Sequence, residues 1–96
     1  MRSVSLGRRV MQTVEIKERI KVRADFTAGG KIVPRLFRRN EHHIFRVKKI
    51  NAAWEDKEAT GKLLYFSVSV EESDDIFQLC YRESERSWWI DSIIIG

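Results

Sequence analysis

Few residues in this 96-residue chain have the type and spacing that chemistry requires. The two histidines are His42 and His43. Adjacent strand residues face opposite sides, so the pair does not converge on one metal ion, and no further ligand stands at a suitable spacing. Cys80 is the single cysteine, which excludes an intramolecular disulfide and a cysteine-rich metal site. It lies within the apolar run Ile76 to Tyr81, where an unpaired thiol behaves as a small buried hydrophobe. No cation stands beside it to lower its pKa and make it a nucleophile. No glycine-flanked serine supports a hydrolytic triad. Gly29-Gly30-Lys31 lacks the glycine spacing and the following helix of a phosphate loop. The expectation is a non-enzymatic protein with no cofactor and no metal.

Charge and aromatic residues carry the remaining functional signal. The formal net charge is +4, but residues 1–49 hold fourteen Lys/Arg against four Asp/Glu, and residues 50–96 hold four against ten. The halves are therefore +10 and −6. Such a split marks either a basic binding surface or basic strands paired with acidic ones across a ladder, and strand order decides between them. Arg19, Lys21, Arg23, Arg46 and Lys48 are the candidate nucleic-acid contacts. Basic residues interleave with aromatics at Phe37-Arg38-Arg39 and Phe45-Arg46. Single strands are held by that combination when both types share a face. Strict alternation points Phe45 and Arg46 opposite ways, which favours core aromatics behind a wet basic face.

Trp88-Trp89 and Ile93-Ile94-Ile95 put apolar residues on both faces of the last strand. Alternation places Trp88, Ile90 and Ile94 on one face and Trp89, Ile93 and Ile95 on the other. A small domain has one core, so the surplus face needs other cover. Trp88, Trp89 and Ile94 are the candidate interaction residues. The cover is a protein partner or a second copy in a two-fold dimer, with Val4, Leu6 and Val10 of the N-terminal stretch as the competing lid.

Six alternating runs position these residues. The clearest has Val14, Ile16, Ile20, Val22, Ala24 and Phe26 on one side and Glu15, Lys17, Arg19, Lys21, Arg23 and Asp25 on the other. That is an amphipathic strand over Thr13 to Phe26, with a bulge or bend near Glu18. Further strands are expected over Lys31 to Arg38, His43 to Ile50, Leu63 to Val70, Ile76 to Arg82 and Trp88 to Ile95. Pro34 lacks an N–H and marks an edge or bulged strand. Asn51 to Trp54 reads as a short helical turn or a strand extension. Glu55 to Gly61 reads as a charged loop, and Glu71 to Asp75 as a solvated acidic one. Short connections imply a sequential antiparallel meander. With no helix to cover it, the sheet must curl into a small barrel or fold over.

The whole is therefore an all-β domain of about six antiparallel strands, residues 13–96, behind a basic flexible arm at residues 1–12. At this size roughly 65% of the unfolded surface is buried, enough for one modest core. No apolar stretch approaches a membrane span. Residues 1–10 lack the apolar region of a secretory signal, so the cytoplasm is the expected compartment.

The order Pro34-Arg35-Leu36-Phe37, Asn40, Phe45-Arg46-Val47, Trp54, Tyr65-Phe66-Ser67-Val68, Phe77-Gln78-Leu79-Cys80-Tyr81 and Trp88-Trp89-Ile90 resembles a small bacterial family of uncharacterised function. It is similar also to the C-terminal segment of some Y-family-polymerase-like subunits of the bacterial mutagenesis machinery (the mutasome). The resemblance covers roughly residues 14–94. It departs from the family at Asn40 and at Glu72 to Asp75, where glycine turns are common. It implies a stand-alone accessory or interaction module and supplies no catalytic residue. The expected function is protein interaction, with self-association included. The alternative is nucleic-acid binding through the basic first half.

Overall fold

The computed structural model describes residues 12–96. Six strands follow in chain order: β1 (Gln12–Phe26), β2 (Ile32–Arg38), β3 (Ile44–Glu58), β4 (Gly61–Val70), β5 (Ile76–Arg82) and β6 (Ser87–Ile95). Each pairs antiparallel with the next and β6 returns to β1, so the meander closes into a barrel rather than folding over as a sandwich. Closure removes the free edges that an open sheet would carry. Among the described residues, no helix is long and apolar enough to cross a membrane. The basic arm expected over residues 1–12 lies outside the described residues except for Gln12, which opens β1.

The inward positions are those the alternation picks out. Phe37, Val68, Val70, Phe77, Leu79 and Ile90 are fully buried, with Ile20, Phe66 and Ile93 close behind. Phe37, Phe45 and Phe77 pack ring on ring, with centroids 4.9–5.2 Å apart. Burying side chains of this kind contributes about 1.5–3 kcal/mol each, and they are the main source of stability here, since one cysteine allows no internal disulfide and no helix stands among the described residues.

β1 is shared between two neighbours. Its first part pairs with β6, ending at Arg19↔Trp89 and Ile20↔Trp88, and its second part pairs with β2, starting at Lys21↔Arg38. The anticipated irregularity near Glu18 is a bulge between Glu15 and Glu18. Lys17 takes a φ of 55° there and ion-pairs with Asp91 of β6. Glu18 thereby turns to the side of Ile90, and the Nε of Arg39 donates to both its oxygens at 3.0 and 3.2 Å. That half-buried pair ties the β2–β3 loop to β1. Pro34 stands next to a second bulge, in β2 itself, where Arg35 is the extra residue opposite the step from Arg23 to Ala24. β3 pairs with β2 over Leu36 to Arg38 alone, so Pro34 asks for no donor on that side.

Three local features correct or refine the expected pattern. Glu55 to Gly61 is not a charged loop: β3 runs through Glu58, and Asp56↔Leu63, Lys57↔Lys62 and Glu58↔Gly61 continue the ladder. Asn51 to Trp54 is accordingly the strand-extension alternative. The ladder closes through Ala59-Thr60, with Gly61 at a φ of 146°. The β3 arm of this hairpin is exposed on both faces, so backbone pairing holds it, and a search for buried alternation passes over it. Second, Asn40 turns the β2–β3 loop through its side chain: its Oδ1 accepts the N–H groups of His42 and His43 at 2.9 and 3.0 Å. A glycine is not required there. Third, β6 does not alternate strictly. Gln78 faces Ser92 while Leu79 faces Ile90, which leaves Asp91 as an extra residue. Trp88, Ile90 and Ile93 therefore share the interior, and Ile94 joins Trp89 on the outside rather than Trp88.

Candidate nucleic-acid interface

Strand order settles how the basic half is arranged. β1, β2 and the start of β3 are neighbours, so their outward residues form one surface. Directly paired residues lie on the same side of a sheet. Arg23, Leu36 and Arg46 make one transverse row, and Lys21, Arg38 and Ile44 make the next. Arg19 continues the same face of β1. Lys48 and Lys49 extend it along β3, where a bulge between Val47 and Lys49 brings both outward. Arg19, Lys21, Arg23, Arg46 and Lys48 are all exposed. The structure thus brings together all five residues singled out from the sequence.

Acidic strands do not neutralise this face. The acids of the second half gather at the β3–β4 tip (Glu55, Asp56, Glu58), in the β4–β5 loop and in the β5–β6 turn. Among the described residues, Asp91 and Glu72 are those that reach cations of the first half, at Lys17 and Arg46. The Glu72 carboxylate accepts the Arg46 backbone N–H at 2.8 Å and its guanidinium at 2.9 Å, so the acidic loop is anchored rather than merely solvated. The Arg46 N–H foremost, and then its guanidinium, hold the Glu72 carboxyl below its usual range. Arg35 pairs with Asp25 at 2.7 Å within the basic half itself. Arg19, Lys21, Arg23, Arg38 and Lys48 have no ion pair among the described residues.

Among the described residues, no aromatic side chain stands in the two cationic rows. Phe37 and Phe45 point into the barrel, as alternation with Arg38 and Arg46 requires. The rows offer donors suited to phosphate oxygens and no ring of their own for base stacking.

The residues proposed for interaction separate. Trp88 packs inside against Phe66 and Tyr81, with centroids 5.7 and 4.9 Å away. Trp89 lies outside, half-buried. Its Nε1 donates to Ser87 Oγ at 2.9 Å, and the Arg82 guanidinium covers its ring at 5.3 Å. Ile94 is half-buried on the outer face beside Ile76. Trp54 of β3 was not singled out, yet it stacks on Tyr65 at 5.3 Å and is 44% exposed. Cys80 is buried, and desolvation pushes its thiol pKa up, which suits an inert thiol. His42 and His43 are both exposed. Among the described residues, no three His, Cys, Asp or Glu side chains gather as a metal site.

Arg38 and Arg86 lie outside the five expected contacts. Arg38 carries a signal, since it alternates with buried Phe37. Arg86 carries none, because its turn nears β1 only through barrel closure. No family model, curated protein or solved structure matches the chain.

Proposed function

We propose that this chain is a non-enzymatic nucleic-acid-binding barrel whose ligand lies across the outer face of β1–β3 and is held by its phosphates. The carrying observation is the pair of cationic rows, Arg23–Leu36–Arg46 and Lys21–Arg38, with no acid in either. Like charges directly opposite one another are unfavourable on their own, and a polyanion laid over the rows relieves that. With no stacking ring in these rows, affinity should ignore base identity and follow salt. Four to five phosphate contacts give a log–log slope of about −4 on duplex and about −3 on a single strand. Titrating labelled DNA at several salt concentrations tests this. Absence of binding at about 50 mM salt, where such contacts are strong, would defeat it.

A second reading, protein docking or self-association, is supported by the exposed Trp54 ring on the projecting hairpin and by Trp89 and Ile94 on the outer face of β6. Sedimentation over a wide concentration range tests it, and a strictly monomeric species throughout would remove the self-association form. A cytoplasmic location belongs to the same proposal and is supported by the single unpaired cysteine.

A further inference from the structure

Where β1 leaves β6 and joins β2, the barrel wall opens into a cleft of about 680 Å3. Arg19, Lys21, Arg38, Arg39 and Arg86 line it, and Trp88 lies at its base. Three separate parts of the chain supply these cations: the middle of β1, the end of β2 with its loop, and the β5–β6 turn. Glu41 is the one acid among the described lining residues. Arg39 is committed to Glu18. The other four cations have no ion pair among the described residues.

Two further observations single the cleft out. Lys21 and Arg38 are direct cross-strand partners, a like-charge pair that costs stability unless an anion compensates it. Arg86 holds a φ of 52°, a left-handed conformation where glycine or asparagine is usual. Strained backbone of this kind concentrates at ligand sites. An arginine side chain thus stands at a position whose backbone favours having none.

We infer that this cleft receives the terminal phosphate of a nucleic-acid strand, a monoester dianion, gripped by Arg19, Lys21, Arg38 and Arg86. An internal phosphodiester carries one negative charge, whereas a monoester carries about 1.5 to 2 at neutral pH. Four uncompensated cations around one opening match the larger charge. Ile20 and Trp88 pack with the core behind it, so the cleft has an apolar floor under a ring of cations, and that concentration of charge suits a strand terminus better than a singly charged internal phosphate. The inference rests on the nucleic-acid reading for the body of the strand, which would lie along Arg23 and Arg46.

The test uses the full chain and one short single-stranded DNA, labelled at an internal base, prepared with a 5′-phosphate, with a 3′-phosphate and with neither. At one fixed salt concentration, a terminal phosphate at one end should tighten binding about tenfold, a difference of about 1.4 kcal/mol. Arg86→Gly should erase that preference while the unphosphorylated strand binds nearly as before. Glycine suits the backbone there, so this variant keeps its fold. Lys21→Ala, at an exposed position, should narrow the preference and also weaken the unphosphorylated strand, because Lys21 belongs to the cationic rows as well. Equal affinity for all three strands overturns the inference and leaves the nucleic-acid reading standing. Failure of all three to bind overturns both. A phosphoserine peptide binding more tightly than any of the strands also overturns it, by assigning the cleft to phosphoprotein.

Discussion

The outer faces of β1–β3 and β4–β6 follow the same alternation and are filled in opposite ways. On β4–β6 the outward residues satisfy one another. Tyr65, Cys80 and Trp89 lie in one transverse row, and Ser67, Gln78 and Ser92 in the next. Ser92 Oγ donates to Gln78 Oε1 at 3.1 Å, and Arg82 covers Trp89. Most of these groups are buried or half-buried although they lie outside the barrel. On β1–β3 the rows are cationic and exposed, with few partners among the described residues. One face has found its contacts within the chain, and the other leaves most of its charge to solvent and counterions. Arg19 stands at the join, opposite Trp89 on one side and next to Lys21 on the other.

The largest effect should come from reversing the cationic rows. Lys21→Glu with Arg23→Glu should weaken DNA binding at moderate salt by at least about a hundredfold, because two attractive contacts become repulsive, with unfolding nearly unchanged at these exposed positions. Unfolding curves and DNA titrations on one preparation check both halves of the claim. Trp89→Ala should do the reverse: a loss of about 2 kcal/mol in stability from lost aromatic packing, and DNA affinity at moderate salt unchanged. If Trp89→Ala weakened DNA binding as much as the charge reversal, the two faces would not be distinct.

Smaller effects sharpen the boundary. Arg86→Gly should raise the unfolding free energy by about 1 kcal/mol, since a non-glycine residue in the left-handed region costs roughly that much. Denaturant unfolding would show the gain as a higher midpoint at constant slope. Glu72→Gln should release Arg46 and tighten DNA binding by about two- to threefold, the scale of one exposed ion pair. Its stability cost should depend on pH. The folded-state pKa of Glu72 is depressed, so its carboxylate contributes stability above its unfolded pKa and loses it as pH falls through the lower folded value. The gap between the parent and the glutamine variant should be full at neutral pH and close in acid. A constant gap from neutral to acid pH would mean that the Arg46–Glu72 contact is not what anchors the loop.

Strand number and most inward positions were legible because alternation is carried by consecutive residues. Phe37 against Arg38 and Phe66 against Ser67 each state their face without reference to anything distant. The same logic identified Arg19, Lys21, Arg23, Arg46 and Lys48 as outward. It failed on β6, where one extra residue at Asp91 reverses the faces beyond it, because a bulge is a property of two strands in register rather than of either one. It also missed the β3–β4 hairpin from Glu55 to Gly61, where nothing is buried and the ladder of backbone bonds does the holding.

What this sequence determined by itself is the local alternation of faces, and with it an all-β meander that has aromatics inside and bases outside. Only the tertiary structure decided which outward residues meet. Closing β6 onto β1 while β1 turns to β2 brings Arg86 beside Lys21 and Arg38, which are far apart along the chain. The same closure leaves the acids at tips and loops instead of opposite the bases. Charge composition says how much of each sign is present, but Coulomb attraction depends on distance, and strand order sets the distances.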